Sequence, residues 1–217
     1  MFYMTKKLAT CIACLLVLVS TVFVAVASAE VDEIVVGLKQ GDWMEYNVTV
    51  NGAVPELHDV SWCRFDIMAV DGKNVYVDVT WRFVNGGEET ESHTFKLDTG
   101  QIGDCFVIPA NLNEGDEFMS PEGNITISGV DEQTCAGATR SVVSANTPET
   151  LFYWDRTTGI LVEANSTYPT FSIFTKADKT NIWQPNLLGL NQTVLIALVA
   201  VVAVAVVAVA TFVIRKK

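Results

Sequence analysis

Only two histidines occur in the chain, His58 and His93, so acid–base chemistry near neutral pH would fall to very few side chains. His58 precedes Asp59 in a loop opened by Pro55, and His93 follows Glu88, Glu89, Glu91 and Ser92. A Ser-His-Asp hydrolase needs its nucleophile on a defined elbow within reach of the base. Neither a G-x-S-x-G stretch nor an H-E-x-x-H helix is present. Both histidines read as surface residues in polar loops, and no catalytic residue is assigned. On an extended tip Glu89, Glu91 and His93 would share one side, as an oxygen-ligated cation would require. An acidic hairpin tip held in water accounts for the same residues without an ion. Asn111, Asn113, Asp116 and Glu117 lack the D-x-[DN]-x-[DN]-G loop with its distal Glu, so turn formation is expected there. Gly86-Gly87 has neither the lysine nor the following helix of a phosphate cradle. No metal and no cofactor is expected.

The sharpest chemical signal is for modification. Asn47-Val48-Thr49, Asn124-Ile125-Thr126, Asn165-Ser166-Thr167 and Asn191-Gln192-Thr193 all fit the glycan acceptor pattern. Asn47 falls on the polar face of an alternating run, Asn124 opposes Ile125 and Ile127, and Asn165 shares parity with Glu163. Those three are expected to point to water and carry glycans. Asn191 lies three residues before a long apolar run, where a transferase reaches it poorly.

The middle of the chain reads as strand after strand. Met44, Tyr46, Val48 and Val50 share one face against Glu45, Asn47 and Thr49, and Asn51-Gly52 marks a turn. Val60–Met68 and Val75–Val84 flank Asp71-Gly72, a strong hairpin signal. Asn85-Gly86-Gly87 breaks the chain again before the acidic tip. Shorter strands are expected at Thr94–Leu97, Cys105–Ile108, Asn124–Ser128, Thr139–Ala145, Thr150–Asp155, Ile160–Asn165 and Phe171–Thr175. With no long 3.6-residue period among them, this is an all-β antiparallel meander. A β-sandwich or a curved half-barrel would each bury the inward faces. Leu38-Lys39-Gln40-Gly41-Asp42-Trp43 is echoed by Leu112-Asn113-Glu114-Gly115-Asp116-Glu117-Phe118. The echo marks either a duplicated half or the same turn chemistry used twice.

Two apolar runs flank this region. Lys6 and Lys7 precede Leu8–Val26, and Ala27-Ser28-Ala29 has the small-x-small form of a signal-peptidase site. Val194–Ile214 is free of charge and followed by Arg215, Lys216 and Lys217. As a helix it would extend about 32 Å, enough for a ~30 Å hydrocarbon core. The expected organisation is a signal peptide at 1–29 and an extracellular β domain at 30–175. A juxtamembrane linker at 176–193, a transmembrane helix at 194–214 and a cytoplasmic tail at 215–217 follow. The basic ends place the β domain outside a single-pass cell-membrane anchor. Trp183 in the linker suits either the headgroup level or the base of the domain.

All 25 acidic residues lie between the two runs, against nine of the 14 basic ones, a net of −16 there. Such a surface repels nucleic acid and anionic lipid. With the leader removed, Cys63, Cys105 and Cys135 remain, enough for at most one intrachain disulfide. Cys63 shares a strand face with Phe65 and Ile67 and is expected as a buried thiol. Cys105–Cys135 is the favoured pair.

Tyr153-Trp154-Asp155 with Thr158-Gly159-Ile160-Leu161-Val162-Glu163 resembles a pattern in uncharacterised archaeal cell-surface proteins. So does Gly37-Leu38-Lys39-Gln40-Gly41-Asp42-Trp43 leading into Tyr46-Asn47-Val48-Thr49. Those proteins share the layout of signal peptide, β-rich ectodomain and single C-terminal helix. The first hairpin is also faintly similar to the sheet hairpins of bacterial lipoprotein-carrier proteins, whose half-barrels hold acyl chains. Neither resemblance implies an activity. The chain is expected to be a non-enzymatic surface module binding an envelope or surface protein, or else a carrier or sensor of an apolar, lipid-like ligand.

Overall fold

The computed structural model describes residues 34–55 and 59–186, together with positions 194, 196, 197 and 200–202. Eleven strands follow one another: β1 Trp43–Gly52, β2 Val60–Asp71, β3 Asn74–Phe83, β4 Glu88–Lys96, β5 Glu117–Ser120 and β6 Gly123–Thr126. Then come β7 Gly129–Cys135, β8 Ala138–Asn146, β9 Thr150–Asp155, β10 Leu161–Thr167 and β11 Phe171–Thr180. Nine of them form one sheet in the order β4-β3-β2-β1-β11-β10-β9-β8-β7, and β5 pairs with β6 alone. Every pairing is antiparallel. The expected all-β meander is therefore present, with one crossover. β4 and β7 are the two edges, so the chain must travel from one edge to the other between them.

That journey fills the core. Residues 97–116 leave β4 and pass over the inner face of the sheet, burying Leu97, Ile102, Cys105, Val107, Ile108 and Ala110. Phe106 enters the aromatic cluster of β1, β2 and β3, stacked 4.3 Å from Phe65 and edge-on at 5.5 Å to Tyr46. Polar atoms buried with these rings find partners: the Tyr46 hydroxyl donates to the Leu161 carbonyl at 2.8 Å, and the Trp154 indole to the Cys105 carbonyl at 2.6 Å. Among the described residues no buried side-chain N or O lacks a hydrogen bond. A desolvated polar group without a partner would cost about 1–3 kcal/mol, so the polar atoms of this core are all accounted for. The sheet half from β11 to β7 is also strongly curved. Four strand spacings would separate these two by about 19 Å if flat, yet they approach within 8 Å, Cα to Cα.

The elements depart from the sequence pattern at several places. Cys105–Ile108 is no ladder strand; Val107 makes one isolated bridge to Ile160. A positive φ of 59° at Cys105 and the ring of Pro109 interrupt extended pairing on either side. The acidic tip, by contrast, belongs to β4, where Arg82–Glu88, Thr80–Thr90 and Asp78–Ser92 contacts link it to β3. β5 and β7 had no strand signal of their own. β7 is an edge whose run Val130-Asp131-Glu132-Gln133-Thr134 is mostly exposed, so its polar residues mask the alternation. The two Leu-x-x-Gly-Asp echoes fold alike. Gly41 and Gly115 adopt φ of 87° and 90°. In each copy the Asp carboxylate accepts the amide three residues back, from Lys39 at 3.0 Å and Asn113 at 2.7 Å. The Gly amides donate to Ile67 and Ile127, whose own amides return to Asp42 and Asp116. The shared unit is this turn and the strand pair it opens.

At the other end, β11 continues through Lys176 to Thr180, where the linker was expected to begin. Residues 181–186 then dock on the β7–β8 turn. Trp183 is buried and its indole donates to the Cys135 carbonyl at 3.2 Å, while the Asn186 amide donates to Gly137. Trp183 thus packs on the β domain. Of the run Val194–Ile214, six positions are described, all helical, with Val194, Ile196, Val201 and Val202 exposed. No helix among the described residues is long and apolar enough to cross a membrane. The rest of that run, the basic end and the expected leader at 1–29 lie outside the described residues.

Candidate functional surface

The residues singled out by type and spacing do not converge on one cleft. His58 and Asn191 lie outside the described residues. His93 sits in edge strand β4, its Nε2 3.3 Å from the Glu91 carboxylate and its ring stacked on Phe95. Glu88 is paired instead with Arg82 at 2.7 Å. Among the described residues no three His, Cys, Asp or Glu side chains stand close enough to share a metal ion.

The Asn111–Glu117 loop is held by a cation of its own. Arg156 donates to the Leu112 carbonyl at 3.0 Å and to the Asn113 side chain, and its carbonyl accepts from the Asn111 amide. A guanidinium occupying the mouth of this loop disfavours a calcium ion there by direct repulsion.

The three thiols are free and buried, where a Cys105–Cys135 bond had been the favoured pairing. Cys105 lies in the segment crossing the sheet, and Cys135 at the end of edge strand β7. Burial pushes the Cys105 thiol up to about 12, helped by Asp104 and Glu122. Burial, with Asp155 adding, pushes Cys135 up to about 11. Cys63 is raised further still by burial. A thiol this reluctant to ionise is a poor nucleophile.

Beside Cys135 lies a network that sequence reasoning missed. Asp155 at the end of β9 is fully buried. It accepts from Arg140 Nε at 2.7 Å and Nη2 at 3.2 Å, and from the Thr158 amide at 2.9 Å and hydroxyl at 2.8 Å. The Arg140 guanidinium also lies 4.8 Å over the Trp183 ring. One carboxylate therefore fixes the β9–β10 turn, strand β8 and the exit of the chain. The Asp-x-x-Thr-Gly spacing pointed to the turn, but nothing in sequence pointed to Arg140 or Trp183.

The outward face of the sheet remains. Asn47 on β1 and Asn165 on β10 are both exposed there, separated by β11, and Asn124 is exposed on β6. Each acceptor asparagine faces an apolar side chain in the register of the neighbouring strand: Asn47 faces Trp62, Asn165 faces Phe174 and Asn124 faces Met119. The Asn124 amide also donates to Glu117 Oε2 at 3.2 Å, and the Thr126 hydroxyl to Oε1 at 3.2 Å. Charged pairs run between these positions, with Arg64 bridging Glu45 and Asp66 and Lys176 meeting Glu163.

No family model and no curated protein matches the chain. Among solved structures, one described as "The Siderocalin Ex-FABP functions through dual ligand specificities" aligns at 12% identity over 64% of this chain and 70% of that one, with a TM-score of 0.24. A score that low carries no argument about ligand or architecture.

Proposed function

We propose that the chain is a membrane-anchored, externally exposed β module that binds an envelope or surface protein through its outer surface. In this reading 1–29 is a cleaved leader, 194–214 the anchor and 215–217 the cytoplasmic end, and the β domain is a curved half-barrel. It performs no catalysis and needs no cofactor. The observation that carries the reading is the crossing segment 97–116, whose own side chains occupy the inner face of the sheet. A carrier of an apolar ligand needs an open apolar volume at that place, whereas a binding module needs only its exterior. The net charge between the apolar runs supports a partner other than nucleic acid or anionic lipid.

The test is native mass spectrometry of the full chain extracted from its own membrane, combined with protease shaving of intact cells. The expected result is a chain cut from outside, with no stoichiometric apolar molecule bound. A one-to-one lipid-sized adduct would replace this reading with the carrier.

A further inference from the structure

We infer that Asn47, Asn124 and Asn165 carry N-linked glycans, and that the first sugar at each site lies on the apolar side chain across the strand pair: Trp62, Met119 and Phe174. The inference rests on the proposal that the β domain is exported. Three observations carry it. All three asparagines are exposed on strands, so each side chain projects into water from a rigid backbone. Each stands directly opposite a large apolar residue. Directly opposed side chains are only about 4.5–5.5 Å apart at Cβ, within reach of a group attached to either. Those apolar residues are, moreover, on the solvent side: Met119 is 47% exposed, and Trp62 and Phe174 are half-buried, with Arg82 4.6 Å over the Trp62 ring and Lys176 6.0 Å over the Phe174 ring. A pyranose ring has an apolar C–H face beside its hydroxyls, so it covers such a side chain while keeping its polar edge in water.

The chemistry at the amide is compatible with the contacts present. The donor is an oligosaccharide linked through a phosphate or pyrophosphate to a polyprenyl lipid. Asparagine Nδ2 bonds to the anomeric carbon, and the bond from that carbon to the phosphate oxygen breaks. Its electron pair leaves with the lipid phosphate, and one amide proton passes to solvent. One N–H remains on each modified asparagine. At Asn124 that hydrogen still serves Glu117, so the existing bond survives attachment. The side-chain amides of Asn47 and Asn165 make no hydrogen bond to any described residue and give up nothing.

The test uses the full chain expressed in a host that glycosylates exported proteins, beside the chain made without that machinery. Site-resolved mass spectrometry reports occupancy, protease shaving reports export, and peroxide oxidation of methionine reports cover. Met119 is the reporter, and Met68, 48% exposed on β2, the internal reference. The expected result is sugar at all three sites and Met119 oxidation slowed several-fold relative to Met68, with Asn124→Gln restoring the faster rate. In matched pairs, Asn165→Gln and Asn47→Gln are expected to lower the melting temperature of the glycosylated chain, and less so when Phe174→Ala or Trp62→Ala is already present. A shaved, exported chain with unmodified asparagines overturns this inference and leaves the proposed location standing. Occupied sites with unchanged Met119 oxidation overturn the packing. A chain retained inside the cell and unmodified overturns both. Should Trp62→Ala fail to fold, the methionine readout and the Phe174 pair decide the matter.

Discussion

Asp155 shows how much one side chain can hold. Replacing it with alanine strands the Arg140 guanidinium in a site only 24% exposed and removes Oδ1, the single acceptor of both Thr158 hydrogen bonds. Breaking such a pair costs about 3–5 kcal/mol when fully buried; with Arg140 partly solvated, Asp155→Ala is expected to lose about 3 kcal/mol in urea unfolding. A loss below about 1 kcal/mol, the level of a surface pair, would mean the network is not a unit. The thiols give a second residue-scale prediction. In the unfolded chain a cysteine ionises near its ordinary value of 9.0, while in the fold Cys135 holds its proton to about 11 and Cys105 to about 12. Their contribution is therefore intact below pH 9 and lost as pH rises through 11 and 12. Urea midpoints at pH 8, 10 and 11 should fall in that order, with a shallower decline in Cys135→Ser. Burial of Cys63 was legible from alternation with Phe65 and Ile67. The fate of Cys105 was not, because the side chain that ties down its carbonyl, Trp154, is 49 residues distant.

Among the elements, the crossing segment depends on close backbone approaches. The Ile108 amide donates to Gly159 at 2.9 Å, and a Cβ on Gly159 would meet the Ile108 carbonyl oxygen at 2.0 Å, at a φ of 73°. Neither backbone can yield without breaking that contact, so Gly159→Ala is expected to cost more than about 2 kcal/mol. Phe106→Ala empties a ring site packed against Phe65, Tyr46 and Trp81, and about 3 kcal/mol is expected to go with it. Calorimetry on both variants checks this, and a Phe106→Ala chain as stable as the parent would show the segment to be a cover lying loosely on the sheet. Strands whose two faces differ were legible: β1, β2 and β3 appear close to where alternation put them, and Asp-Gly marks the β2–β3 turn. The crossing was illegible for a physical reason. Its apolar residues Ile102, Val107 and Ile108 pack on the inner side of the sheet with only the isolated Val107–Ile160 bridge and no continuous ladder, so no period of two or 3.6 is imposed on them.

For the whole molecule, the decisive fact is that both ends of the sheet region meet at its centre, β1 beside β11. β11 ends at Thr180 on the same end of the sheet as the β2–β3 turn, and the docked residues 181–186 hold the exit there through Trp183, Pro185 and Asn186. If 194–214 anchors the chain, that end faces the bilayer. From Asn186 to Val194 the chain can span at most about 30 Å even when fully extended. The opposite end, with the loops at 84–87 and 168–170, stands farther away by the length of β3, about 30 Å for its ten residues. Labels at Lys73→Cys and Thr170→Cys, both exposed positions, would measure this in the full chain reconstituted in vesicles carrying a headgroup quencher. Among the described residues the native thiols Cys63, Cys105 and Cys135 are buried and should stay unlabelled. Quenching is expected to be strong at position 73 and weak at 170, and Trp183→Ala, by releasing the exit from Cys135 and Arg140, should bring the two closer together. Equal quenching in the parent chain would sink the upright orientation.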